Sequence, residues 1–242
     1  MAERRAAFYA MEPGGWRDYW SLLHPPYTLW HLSFVAIGAG VSPQFSLRWL
    51  LLSLAAFFLA VGLSAHALDE LNDRPLGTRI PPPVLWGIAA AGIAGALAIG
   101  LYGATQVSWW LLAFMAFGAL IVPAYNLEWF GGAFHTDLWF ALAWGGFPAL
   151  TGYFAQAGRV SLAAVAVAAA CTLLSVAQRT LSTPVRRLRR QVRDVHGEMT
   201  LADGSAEPVD AASLRAAPEA ALRALSAAMV LLALGLVLAR LL

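Results

Sequence analysis

The sequence predicts an all-α protein: a polytopic transmembrane helical bundle of about seven spans, forming one membrane domain over residues 1–242. Three observations predict it. Of the 242 residues, 60% are hydrophobic and only 12% are charged, about half the charge of a soluble domain. Apolar runs close to the ~20 residues a bilayer requires recur along the chain. The Arg residues, which account for every basic side chain since Lys is absent, crowd into alternate connecting segments. The apolar runs place spans at about Tyr27–Val41, Phe45–Leu68, Val84–Gly103, Trp109–Ala124, Asp137–Gln156, Val160–Ala177 and Glu219–Leu242.

Residues 1–26 begin with Glu3-Arg4-Arg5 and become aromatic at Trp16, Tyr19 and Trp20. They read as an interfacial segment and lack a cleavable signal pattern. His24 precedes two prolines, which places it in an extended turn. His31, early in span one, reads as a packed or hydrogen-bonded residue. Span two ends in His66, Asp69, Glu70 and Asp73, spaced i, i+3, i+4, i+7. On a helix these four share one stripe, and carboxylates stacked beside a bilayer call for a cation. Arg74-Pro75 stops the helix, and the loop 76–83 carries Arg79 in a Pro-rich turn region that can fold back over the stripe.

Span three is rich in Gly and Ala, as close helix packing requires. Span four ends at Tyr125-Asn126, and Thr136 or Asp137 is the expected N-cap of span five. Trp139, Trp144, Phe147 and Tyr153 follow, with Pro148 among them. They fit either packing or the wall of a cavity for an isoprenoid chain. Cys171, the single cysteine, reads as a small core residue; no disulfide or Cys-based metal site is possible.

Span six ends in Ser175, Gln178, Arg179 and Ser182, which repeat the spacing of the acidic stripe in neutral and basic form. Thr183-Pro184 reads as the start of a new helix. Residues 184–218 then comprise a basic amphipathic helix on the cytoplasmic surface, Pro184–His196, binding anionic headgroups, and a polar linker, Gly197–Pro218, with a turn at Asp203-Gly204. The Arg run is wedged between two spans, so a nucleic-acid partner is not expected. The Arg asymmetry puts the N-terminus and residues 179–218 in the cytoplasm, and Lys-free usage suggests a bacterial inner membrane.

The segment Ala65-His66-Ala67-Leu68-Asp69-Glu70-Leu71-Asn72-Asp73-Arg74, with its polar counterpart at the end of span six, resembles the UbiA superfamily of intramembrane prenyltransferases. The family's first motif, N-D-x-x-D-x-x-x-D followed by Arg, matches at Asp69, Asp73 and Arg74. Ala65 and His66 depart from it. Tyr125 is similar to a family Tyr at the end of span four, and Trp144-Gly-Gly-Phe-Pro148…Gly152-Tyr153 to its span five. The likeness covers about residues 15–190. It implies a UbiA-like fold and a Mg²⁺-dependent transfer of a prenyl group from an isoprenoid diphosphate to a lipophilic acceptor. Asp69 and Asp73 would hold Mg²⁺, with Glu70 and His66 as supporting groups or base. Arg74, Arg79 and Arg179 would hold the diphosphate, Tyr125 and Asn126 would position it, and Gln178, Ser182 and Arg186 stand where the family has its second carboxylate motif. That second motif is missing here, and the family usually has nine spans.

The competing reading is a non-catalytic membrane protein that binds a lipid or pigment, or serves as a subunit of a larger membrane complex, with the acidic stripe locked by Arg179 or Arg186. A transporter lacks support from an internal repeat, and a haem held by His31 and His66 lacks support from spacing. In both leading readings spans two and six meet through their stripes.

Overall fold

A computed structural model describes Ala7 and residues 9–242; Glu3, Arg4 and Arg5 of the expected interfacial segment lie outside the described residues. The chain is mostly helical. A short helix α1 (Trp16–Leu22) leads into α2 (Pro25–Gly40), α3 (Leu47–Leu71), α4 (Pro82–Gln106), α5 (Leu111–Asn126), α6 (137–157), α7 (Leu162–Arg190) and α8 (Ala211–Leu241). Each of the seven predicted apolar segments falls on one of α2 to α8. Four of them, α3, α4, α7 and α8, are long and apolar enough to cross a membrane. The aromatic α1 leaves Trp16, Tyr19 and Trp20 exposed while burying Asp18, the amphipathic form expected of an interfacial helix.

Three connections differ from expectation. Pro184 does not start a helix, because α7 runs unbroken through it to Arg190. The hydroxyls of Ser182 and Thr183 donate back to the Arg179 carbonyl at 3.3 and 2.8 Å instead of capping a new N-terminus; membrane helices absorb proline through such side-chain bonds. Residues 197–218 are not a plain linker. Gly197–Thr200 (β1) and Ala206–Val209 (β2) pair as an antiparallel hairpin, so among the described residues the fold is a helical bundle with one small, exposed ribbon. The Asp203-Gly204 turn closes it, with Gly204 at φ 85°. Finally, α8 starts eight residues before the predicted Glu219. Asp210 accepts from the amides of Ala212 and Ser213, and the Ser213 hydroxyl accepts from the Asp210 amide, a complete capping box.

Packing centres on α2, which lies against the second half of α6 and against α8. The α2–α6 approach needs glycine. A Cβ on Gly38 would run into the carbonyl of Ala149, and one on Gly152 into the carbonyl of Val35. Two helices change pitch: α3 is π-helical over Phe58–Ala65, and α6 over Leu142–Gly146. Such insertions concentrate at functional positions, and both of these end at one cavity.

Candidate functional site

The acidic end of α3, the end of α5 and the basic end of α7 surround a polar cavity of about 290 Å³. His66, Asp69 and Asp73 line it from α3, Tyr125 and Asn126 from α5, and Gln178, Arg179, Ser182 and Arg186 from α7. Sequence spacing had placed His66, Asp69 and Asp73 on one stripe and Gln178, Arg179 and Ser182 on another, and the fold turns both toward the same space as Tyr125, Asn126 and Arg186.

Glu70, Arg74 and Arg79 do not line it. Glu70 is fully buried and accepts from the amides of Leu76 at 3.0 Å and Thr78 at 2.8 Å. Arg74 donates to the carbonyls of Thr78 and Ile80 at 3.3 and 2.7 Å. The two therefore fold the loop 74–81 onto the end of α3, Glu70 by receiving N–H groups and Arg74 by serving carbonyls. Asp73 and Arg74 are both left-handed, at φ 61° and 51°, and this sharp reversal separates Asp73 from the loop-binding Arg74. The amide of Arg79 donates to Asp18, 3.0 Å away, which ties the loop to α1. Glu70 and Arg74 thus anchor the loop and stand outside the cavity lining expected of them, and Arg79, whose contact with Asp18 is through its backbone amide, has an exposed side chain that does not line the cavity either. The 3.6-residue period could not show this, because i+4 lies on the edge of an i, i+3, i+7 stripe.

The expected lock between stripes also fails. Among the described residues neither Asp69 nor Asp73 has a salt bridge or hydrogen-bond partner. Arg179 instead pairs with Asp137, the first residue of α6, with Nε to Oδ1 at 2.7 Å, and its guanidinium lies 5.2 Å from the Phe140 ring centre. Helices α3 and α7 face each other across the cavity without packing directly.

Several lining residues escaped sequence reasoning. Arg190 joins Arg186, Ser182 and Gln178 at four-residue intervals, so the face assigned to a surface helix extends the cavity wall inward. Tyr9 and His24 close the side nearest α1. His24 is not extended; it takes φ 45° because its carbonyl accepts from the amides of Tyr27 and Thr28. Its ring lies 4.3 Å from that of His66, and Tyr9 Oη hydrogen bonds its Nδ1. Burial holds the His24 imidazole well below its ordinary pKa and the Tyr9 hydroxyl well above its own. Asn72 donates to Glu128 at 3.2 Å at the rim, and His135 stacks on Tyr125 at 4.5 Å. Thr136 caps α6 as expected, accepting from the Trp139 amide at 3.3 Å.

Three buried polar atoms on this wall, His24 Nε2, Tyr125 Oη and Gln178 Oε1, have no hydrogen-bond partner among the described residues. Each such group costs about 1–3 kcal/mol unless something satisfies it, so the wall offers polar atoms to whatever fills the cavity, water or ligand. Trp144 stands at the inner end of the cavity and also borders a second, apolar cavity lined by Phe57, Ile93, Phe114, Met115 and Phe147. The charged chamber and the greasy one thus share a single lining residue, the ring-bearing Trp144.

No protein-family profile, curated protein or solved structure matches this chain.

Proposed function

We propose that the protein is a divergent UbiA-like membrane enzyme that binds an isoprenoid diphosphate, with the diphosphate in the polar chamber and the prenyl chain in the apolar one. The observation that carries this reading is the pair of facing walls. Asp69 and Asp73 stand opposite Arg179 and Arg186 across the chamber, and neither carboxylate is bonded to a basic side chain. Half-buried charges held apart, as those of Asp69 and Arg186 are, cost more than charges allowed to pair, so a mobile partner of mixed charge is what the walls fit. A diphosphate accompanied by a divalent cation supplies both signs.

The donor set fits Mg²⁺. Asp69 and Asp73 offer carboxylate oxygens, and Asn72 and Glu128 offer more at the rim. No three His, Cys, Asp or Glu among the described residues form a ready-made cage, and Mg²⁺ needs none, since one or two carboxylates with phosphate oxygens and water complete its shell. Bound there, it would neutralise a departing diphosphate. Arg179, Arg186 and Arg190 contribute fixed positive charge toward the same oxygens, and Phe140 and Trp144 exclude water from the carbon end. Seven crossings, a cytoplasmic chamber and a cytoplasmic N-terminus complete this reading, from the Arg asymmetry.

A non-catalytic lipid- or pigment-binding role is favoured by one observation: Gln178 and Ser182, not carboxylates, occupy the α7 wall. Titration of purified protein with farnesyl diphosphate separates the two. The enzyme reading expects binding that requires Mg²⁺ and is lost in Asp69→Asn. Binding indifferent to Mg²⁺ and to Asp69, or no binding, overturns it.

A further inference from the structure

Beside Trp144, the residue that lines both cavities, stands an imidazole with one ring nitrogen that has no assigned task. In α6 the carbonyl of Trp144 would bond the amide of residue 148 in a regular α-helix, but residue 148 is Pro and has no N–H. His31 of α2 takes that place, its Nδ1 lying 2.8 Å from the Trp144 oxygen. A carbonyl only accepts, so Nδ1 must carry the proton, and the neutral ring then presents its lone pair on Nε2. The same device recurs on α3, where His66 Nδ1 donates to the Gly62 carbonyl at 3.1 Å within the π-helical stretch. His31 and His66 both belong to the chamber wall, and among the described residues no protein group is bonded to either Nε2. His31 is the deeper of the two, with its ring 6.1 Å from Phe140 and its hydrogen bond on Trp144, the residue shared by both chambers.

We propose that Nε2 of His31 is the hydrogen-bond acceptor for a hydroxyl-bearing apolar co-substrate in the polar chamber beside Trp144. This rests on the reading of the chambers given above and names the group that meets the second substrate. On that reading the reacting carbon of a bound prenyl diphosphate belongs beside Trp144, the residue common to both cavities, and His31 lines the polar cavity with its hydrogen bond on that residue. The carbon–oxygen bond to the diphosphate breaks with its electron pair leaving on the diphosphate. The co-substrate oxygen forms the new bond to that carbon, and its proton passes to His31 Nε2. Proline 148 and the π-helical stretch of α6 act as positioning elements, fixing which nitrogen is free.

The test uses the full chain in detergent and two probes of nearly equal size, 1-naphthol and naphthalene, alongside Mg²⁺ and farnesyl diphosphate. His31→Asn keeps a donor for the Trp144 carbonyl but removes the Nε2 lone pair. Wild type should bind 1-naphthol at least tenfold more tightly than naphthalene. His31→Asn should lose that preference while retaining farnesyl diphosphate binding, and Trp fluorescence melting should report an intact fold. Equal binding of the two probes by wild type, or a preference that survives in His31→Asn, overturns the proposal. Failure of farnesyl diphosphate to bind wild type would instead strike the proposed function, since the naphthol comparison still reads His31. Should His31→Asn not fold, Pro148→Ala, which supplies a competing N–H to the Trp144 carbonyl, must weaken the naphthol preference; an unchanged preference overturns the proposal equally.

Discussion

Replacing Glu70 by Gln should destabilise the protein and leave ligand binding intact, the opposite of what the same change does at Asp69. Glu70 is fully buried, and each carboxylate oxygen accepts one backbone amide, from Leu76 at 3.0 Å and from Thr78 at 2.8 Å. Gln offers one acceptor oxygen and one NH₂. One bond survives but loses its charge assistance, and the other becomes donor facing donor, which leaves a buried N–H without a partner. A buried unpaired amide costs about 1–3 kcal/mol and the weakened bond about another 1 kcal/mol, so the sum is about 2–4 kcal/mol. For a chain of this size that corresponds to a fall in melting temperature of roughly 5–15 °C. The ten Trp residues provide the signal for melting in detergent. Asp69→Asn removes a carboxylate with no bonded partner among the described residues, so its melting temperature should stay within about 2 °C of wild type while Mg²⁺-dependent farnesyl diphosphate binding disappears. The reasoning is refuted if Glu70→Gln melts with wild type, or if Asp69→Asn melts as low as Glu70→Gln.

Arg74→Met leaves the Thr78 and Ile80 carbonyls unserved and should cost about 1.5–3 kcal/mol, read by the same melting assay, with little change in ligand affinity. Arg179→Met loses an ion pair to an exposed Asp137, about 0–1 kcal/mol, and the cation–π contact with Phe140, about 0.5–1 kcal/mol, and should weaken diphosphate binding by more than tenfold in titration. Buried His24 binds a proton less readily in the fold than in the unfolded chain, so the unfolded state carries more protons below the ordinary histidine pKa of 6.5. Stability from this group is therefore fully present above that value and is lost as pH falls below it. Melting curves between pH 5 and 8 should show this slope, and His24→Gln should flatten it. Asp210→Ala removes the α8 capping box and should cost about 1 kcal/mol, with the effect seen as faster amide exchange at residues 211–215.

The acidic and basic stripes were legible because helical periodicity is local: Asp69 and Asp73, or Gln178 and Ser182, share a face wherever the helix packs. Their convergence on one chamber followed from span counting, which put the three polar ends on the same side. The fate of Glu70 was not legible, since its partners are backbone amides of a loop whose path depends on two left-handed residues, Asp73 and Arg74. Pro184 was misread because the rule that proline opens a helix holds in water, and inside a bundle the Ser182 and Thr183 hydroxyls change the balance. The hairpin had a turn signal at Asp203-Gly204 but strands of only four residues each, too short for alternation to reveal. The His31 contact was foreshadowed by Pro148, which strips the Trp144 carbonyl of its amide, but which side chain would fill the gap required the fold.

The unbroken passage of α7 through Pro184, and the early start of α8, carry a consequence for the shape of the particle. Helices of 29 and 31 residues are about 43 and 46 Å long at 1.5 Å per residue, against a hydrocarbon slab of about 30 Å. Apart from Arg240, their charged residues gather at the same end, and Arg189 clasps Glu219 there at 2.6 Å. Were both helices to cross such a slab upright, the surplus would stand out of it at that end as a two-helix mast some 13–16 Å tall, topped by the hairpin. A binder raised against residues 197–209 would grip that masthead and add rigid mass outside the micelle. The small bundle would thereby gain the asymmetric landmark that particle alignment by electron cryomicroscopy needs.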